Sequence, residues 1–329
     1  MARLKGAPRL YGEDVNHPPL VAAARRRFES DGVPAAEISV VSGALDGIER
    51  VLREHLRPGD RVVVEDPCFT GIADLLATLA LTPAGVAVDE EGILPAGLRR
   101  VLARPAAALI VTPRAQNPTG AAFSPSRQRT LRSILRTRPN LLLIEDDHAG
   151  PVAGAPYATL VEPSRLGWAV VRSVSKSLGP DLRLAVMSSD PITAARVQRR
   201  QTLGIRWVSH ILQQLAVALW RDRSVAQLLA RAEKAYAARR EALLRALAAH
   251  GIAAQGRSGL NVWVPVPDEA SAIQGLLQRG WGVQAGERYR LASPPAIRVT
   301  VAALPPGDAA RFAKDLASVM APVGRSSAS

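Results

Sequence analysis

The chain has 329 residues, 47% of them hydrophobic and 22% charged, an ordinary balance for a folded globular protein and a length that suits two domains. No apolar run is long enough to cross a bilayer, and the opening Met1-Ala2-Arg3-Leu4-Lys5-Gly6 lacks the apolar stretch of a secretory signal. The lone Cys68 excludes an intramolecular disulfide framework and fits a cytoplasmic location; the net charge of +13 comes from basic residues scattered along helices without interleaved aromatics, which reads as a solvated basic surface rather than a nucleic-acid site.

Short apolar runs alternate with helical patterns through the first two-thirds. Strands are predicted at Ile38–Val41, Arg61–Val64, Ala84–Val88, Ala107–Val111, Leu141–Ile144, Trp168–Val171 and Leu184–Met187. Helices are predicted between them at Ala44–Leu56, which stops at Arg57-Pro58-Gly59-Asp60, and at Arg127–Arg136. Near-continuously apolar strands alternating with helices indicate a mostly parallel sheet covered on both faces, a three-layer α/β arrangement. After about residue 190 the pattern changes. One long helix is predicted over Ala194–Trp220 and another over Ser224–His250, then a strand at Asn261–Val266, a helix near Ala270–Arg279, a strand at Ile297–Val301 and a closing helix at Ala309–Met320. This reads as a smaller α+β C-terminal domain.

In an open parallel sheet, ligands sit beyond the carboxyl ends of the strands, so the residues that follow each strand are the candidate site. The first strand runs into Ser42-Gly43-Ala44 and a helix N-terminus, a turn suited to phosphate but equally able just to cap a helix. The second ends in Glu65-Asp66-Pro67-Cys68-Phe69. The fourth leads to Gln116-Asn117-Pro118-Thr119-Gly120, by its chemistry alone a plain turn. The fifth ends in Glu145-Asp146-Asp147-His148, which could be a metal-binding cluster or a solvated strand end. The sixth leads to Ser173-Val174-Ser175-Lys176 and on to Arg183. The chain has only four lysines (Lys5, Lys176, Lys234 and Lys314), and Lys176 alone falls at the ligand-facing end of the sheet. A lysine amine shifts its pKa readily and condenses with carbonyl compounds; a guanidinium grips phosphate with two hydrogen bonds.

In this order and spacing, Ser-Gly-Ala, Asn-Pro-Thr-Gly, Glu-Asp-Asp and Ser-x-Ser-Lys followed by Arg resemble the class I/II aminotransferases of pyridoxal-phosphate (PLP) fold type I. The closest likeness is to the aminotransferase-like domain of MocR-type GntR-family regulators, from Tyr11 onward. The resemblance implies an aspartate-aminotransferase-like fold with a short N-terminal lead at 1–15, a large PLP-binding domain at 16–205 and a small domain at 206–329. It implies that Lys176 holds PLP as a Schiff base and shuttles a proton at the substrate Cα, while Asp146 pairs with the pyridinium nitrogen. Asn117 and His148 would lie beside the ring hydroxyl, and Phe69 would stack on the ring. Gly43, Ala44, Ser173, Ser175 and Arg183 would hold the phosphate, with Tyr11 reaching that of a partner subunit. Arg298 would bind the substrate α-carboxylate, its other reading being a strand-edge charge. A homodimer with sites at its interface is expected, as are an amino acid and a 2-oxo acid as substrates.

Three departures from the family pattern bear on function. His148 stands where most of the family has tyrosine, the N-terminal arm is largely missing, and the regulators' winged-helix domain does not precede this region, so no DNA binding by this chain alone is expected. Two readings follow: a PLP-dependent aminotransferase, or a non-catalytic PLP- and effector-binding module related to a regulator. A third is another PLP reaction such as β-elimination or decarboxylation, which share the same electron sink.

Overall fold

The computed structural model describes residues 14–321. Its elements run α1 (Pro18–Ser30), β1 (Glu37–Val41), α2 (Ala44–His55), β2 (Arg61–Asp66), α3 (Thr70–Thr78), β3 (Thr82–Asp89), β4 (Gly92–Ile93), α4 (Pro95–Val101) and β5 (Ala108–Val111). Next come α5 (Pro125–Arg136), β6 (Leu142–Asp147), β7 (Trp168–Ser173), β8 (Ala185–Ser189), α6 (Pro191–Thr202), α7 (His210–Arg221) and α8 (Arg223–Ala249). The last are β9 (Asn261–Pro265), α9 (Glu269–Leu277), β10 (Gln284–Ala285), β11 (Ala296–Thr300) and α10 (Ala309–Met320).

Eight strands form one sheet in the order β1-β8-β7-β6-β5-β2-β3-β4. Strands β3, β2, β5, β6 and β7 are mutually parallel, and β8 runs against both β7 and β1. Strand β1 therefore points the same way as β7, and the carboxyl ends of β1, β2, β5, β6 and β7 share one edge. Period-two alternation sends successive side chains to opposite faces. Val63, Leu109, Leu143 and Val170 pack against α1, α4, α5 and α7, through Phe28, Leu98, Leu131 and Val217 among others. Val62, Ile110, Ile144 and Val171 pack against α2, α3 and α6, through Ile48, Leu76 and Val197. The sheet is thus the middle of three layers, as the sequence pattern predicts.

A second sheet, β10-β11-β9, has its own core of Leu243, Val264, Leu276, Ile297, Phe312 and Leu316 beneath α8, α9 and α10. The predicted helix over Ala194–Trp220 is two helices, with the chain non-helical between α6 and α7. Gly204 and the left-handed Arg206 (φ 62°) break it, and Leu203 and Ile205 face outward where a continuous amphipathic helix would bury them. Helix α7 packs its Leu212, Ala216 and Val217 on the core of the large sheet.

Candidate active site

The shared strand edge collects most of the residues singled out above. At the end of β1, Gly43 takes φ 107° to cap α2, and a Cβ there would come within 3.0 Å of Arg183 Nη2. Glycine is thus what lets the guanidinium lie against the helix N-terminus, where free N–H groups and the positive dipole end already favour an anion. Arg183 is exposed and held left-handed (φ 43°) just before β8 returns from the same edge. Ala44 opens the helix. After β7, the Ser175 N–H donates to Ser173 Oγ at 3.1 Å, and the N–H groups of Ser177 and Leu178 donate to the Val174 carbonyl. This tight turn projects Lys176 outward from the strand end.

The acidic run at the end of β6 is neither solvated nor a single cluster, because strand alternation separates its members. Glu145 and Asp147 lie on one face. Glu145 accepts from Tyr157 Oη (2.6 Å), Thr159 Oγ1 (2.9 Å) and the Leu160 N–H. Asp147 takes a two-pronged grip from Arg114 at 2.9 Å each and a further bond from Arg172 Nε at 2.6 Å. Arg172 also pairs with Asp31 at 2.7 Å, and the Tyr157 ring lies within cation–π reach of both guanidinium groups. Burial would raise the Asp147 pKa, but Arg172 and Arg114 outweigh it and hold it at about 2.

Asp146 faces the other way and is only 4% exposed, yet its Oδ1 has no hydrogen-bond partner among the described residues. Burial, with the Asp147 charge adding to it, pushes this carboxyl up to about 7. His148 Nδ1 lies 3.9 Å from Asp146 Oδ2. Desolvation first, then Lys176 and Arg114 against the opposing pull of Asp147, lowers the imidazole to about 4. At neutral pH this contact is therefore a neutral ring beside a carboxyl, not an ion pair.

Asn117 follows β5, and its Oδ1 accepts from Arg298 Nη1 at 3.1 Å and from Asn261 Nδ2 at 3.4 Å. With the amide oxygen thus occupied, its NH₂ is left to donate into the site. Arg298, on β11, is half-buried with Nε unpartnered and its guanidinium 5.0 Å from the Tyr289 ring centroid. Burial lowers its pKa, and among the described residues no carboxylate pairs with it. A strand-edge charge would face water; this one faces Asn117. Phe69 follows the end of β2 and stands at the N-terminus of α3. The small sheet is drawn onto these loops: a Cβ on Gly120 (φ 71°) would lie 2.7 Å from the Ser258 carbonyl, and Asp66 accepts from the Leu291 and Ala292 N–H groups and Ser293 Oγ. Tyr11 lies outside the described residues.

The sequence reading missed Asn261, Ser258 and the Asp31–Arg172–Asp147–Arg114 network. One signal was there: an arginine inside the otherwise apolar strand Trp168–Ser173 requires a buried partner.

A family model for class I and II aminotransferases matches residues 10–316. The chain belongs to that family. It is 40% identical over 317 residues to the vitamin B6 salvage pathway transcriptional repressor PtsJ of Salmonella typhimurium, covering 96% of this chain and 74% of the repressor. It is 30% identical to the HTH-type transcriptional regulator YdcR of Escherichia coli over 76% of this chain, and spans 55% of that protein. Among solved structures, the kynurenine aminotransferase of Pyrococcus horikoshii superposes with a TM-score of 0.84 at 20% identity, over 94% of this chain and 82% of the other. The α-aminoadipate aminotransferase LysN of Thermus thermophilus gives 0.83 at 22% identity, over 94% and 83%. These likenesses establish the fold as that of the PLP fold-type I aminotransferases. No described helix is long and apolar enough to cross a membrane.

Proposed function

We propose that this chain binds pyridoxal 5′-phosphate at the shared strand edge and exchanges an amino group between an amino acid and a 2-oxo acid. The observation that carries the reading is Asp146, a carboxyl buried to 4% exposure with an oxygen that has no donor among the described residues. A buried acceptor left unsatisfied costs about 1–3 kcal/mol, and a protonated ring nitrogen is the donor it fits. When bound, the cofactor supplies the electron-withdrawing ring that lets a proton leave the amino-acid Cα.

The chain's own residues do the rest. Lys176 supplies the amine that holds the cofactor and then moves the Cα proton. The α2 N-terminus at Gly43 and Ala44, the hydroxyls of Ser173 and Ser175, and Arg183 hold the phosphate. Asn117 donates its NH₂ to the ring hydroxyl with neutral His148 beside it, and Phe69 covers one ring face. Arg298 binds the substrate carboxylate. We further infer a homodimer, which the outward-facing Leu203 (79% exposed), Ile205 (52%) and Ile211 (62%) support.

Titrating the PLP-loaded protein with amino acids is the test. Conversion of the cofactor to its amine form, reversed by a 2-oxo acid, is the expected outcome. A spectrum that shifts without conversion would favour the second reading, a PLP- and effector-binding module, which the 40% identity to a repressor and the imidazole of His148 support. Replacing Arg298 by alanine removes a charge-assisted contact. It is expected to weaken amino-acid binding roughly 10- to 100-fold and leave PLP in place; measured PLP loss would remove Arg298 from the substrate site.

A further inference from the structure

Behind the site, Glu65 and Gln116 form a buried polar pair that none of the roles above uses. Gln116 is fully buried and Glu65 is 3% exposed. Gln116 Nε2 donates to the Pro67 carbonyl at 2.8 Å and to Glu65 Oε2 at 3.1 Å. Its Oε1 accepts from the Thr119 N–H at 2.9 Å and from Thr119 Oγ1 at 2.5 Å. Glu65 Oε1 accepts from the Thr112 N–H at 3.1 Å. The amide cannot be turned over: a carbonyl, an obligate acceptor, faces its nitrogen, and a backbone N–H, an obligate donor, faces its oxygen.

One side chain thus ties the loop Pro67–Phe69 to the loop Asn117–Gly120. These two loops carry the ring-covering Phe69 and the donor Asn117. We propose that Gln116, backed by Glu65, is a positioning residue that fixes the separation of the two loops and so sets the width of the slot into which a flat aromatic ring fits. The assignment of the ring rests on the cofactor reading above; the tie between the loops does not. Burial pushes the Glu65 carboxyl up to about 8, with Asp146 adding to it, so at neutral pH the pair braces the loops without placing a second negative charge behind Asp146. The acid accepts at both oxygens, from the Thr112 N–H and from Gln116 Nε2, which a single amide oxygen in its place would not reproduce.

Two variants of the full chain test this. Gln116→Met keeps the volume and removes every hydrogen bond of the Gln116 side chain. Glu65→Gln keeps shape and neutrality but can accept from only one of its two donors. Without cofactor, amide exchange at Cys68–Gly71 and at Thr119–Ala122 is expected to speed up together, about tenfold or more in Gln116→Met and less in Glu65→Gln. Unchanged exchange, or loosening of one segment alone, would overturn the coupling. With PLP, the dissociation constant is expected to rise about tenfold or more, and the visible circular dichroism of the bound cofactor to fall while its link to Lys176 persists. A variant with a lower melting temperature but parental exchange and PLP affinity would show a merely structural pair and end the proposal. A parent protein that binds no PLP would sink the cofactor reading and leave the exchange data to decide the brace.

Discussion

Lys176→Ala protein mixed with pyridoxal phosphate is expected to lack the visible absorption band of the lysine-bound cofactor. Any turnover should fall by at least ~10²–10⁴, the usual contribution of a positioned proton-transfer group. Lys234 and Lys314, the other described lysines, lie on α8 and α10, away from the strand ends that hold Asp146 and Arg183, so neither replaces it. Lys176→Arg should fail equally, because a guanidinium keeps its proton in proteins and is no nucleophile. A variant spectrum identical to that of the parent would refute the assignment of Lys176, and with it the proposed chemistry.

Asp147→Asn is expected to be the most destabilising single change near the site, at about 3–5 kcal/mol by denaturant unfolding. The reason is what it leaves behind. Arg114 and Arg172 are 8% and 7% exposed and would keep their charges with only Asp31 in reach, 2.7 Å from Arg172 and 3.9 Å from Arg114. The pH dependence follows from the same pairing. The folded-state pKa of Asp147 is depressed to about 2, so its contribution is fully present above the ordinary carboxylate value of 3.8 and is lost as pH falls from there through 2. Asp147→Asn should therefore flatten the acid limb of the stability profile below pH ~4. An acid limb matching the parent's, together with a loss below ~1 kcal/mol, would mean that the two arginines relax into water.

Much of the fold was legible because the strands are buried on both faces and therefore nearly continuous in apolar residues. Trp168–Val171 and Leu141–Ile144 could be placed to within a residue or two at their starts. The break between α6 and α7 was not, since apolar Leu203, Ile205 and Ile211 keep up the look of a helix and only their outward orientation removes them from the core. The candidate site was legible where chemistry is local: a lone lysine at a strand end, a glycine before a helix, a turn of fixed composition. It was illegible where partners come from afar. Asp146 and Asp147 are adjacent and chemically identical, yet Asp147 is held at about 2 and Asp146 at about 7, because strand alternation turns Asp147 toward two arginines and Asp146 toward none. The resemblance selected Asp146; only the unpartnered oxygen gives that choice a physical reason. Asn261 could not be found by spacing at all, since its bond to Asn117 joins residues 144 positions apart.

That reach along the chain bears on how the molecule is made. The helix N-terminus at Gly43 exists early in synthesis, but Asn117 receives its bond from Arg298 only when the ribosome has added another 181 residues. A nascent chain released near Leu260 would carry the anion-binding corner without the strand that completes the pocket. A ligand that engages both parts would favour chains that include β11 over those that end before it, and each occupied molecule would gain RT ln(1 + [L]/Kd) in stability over those partial products.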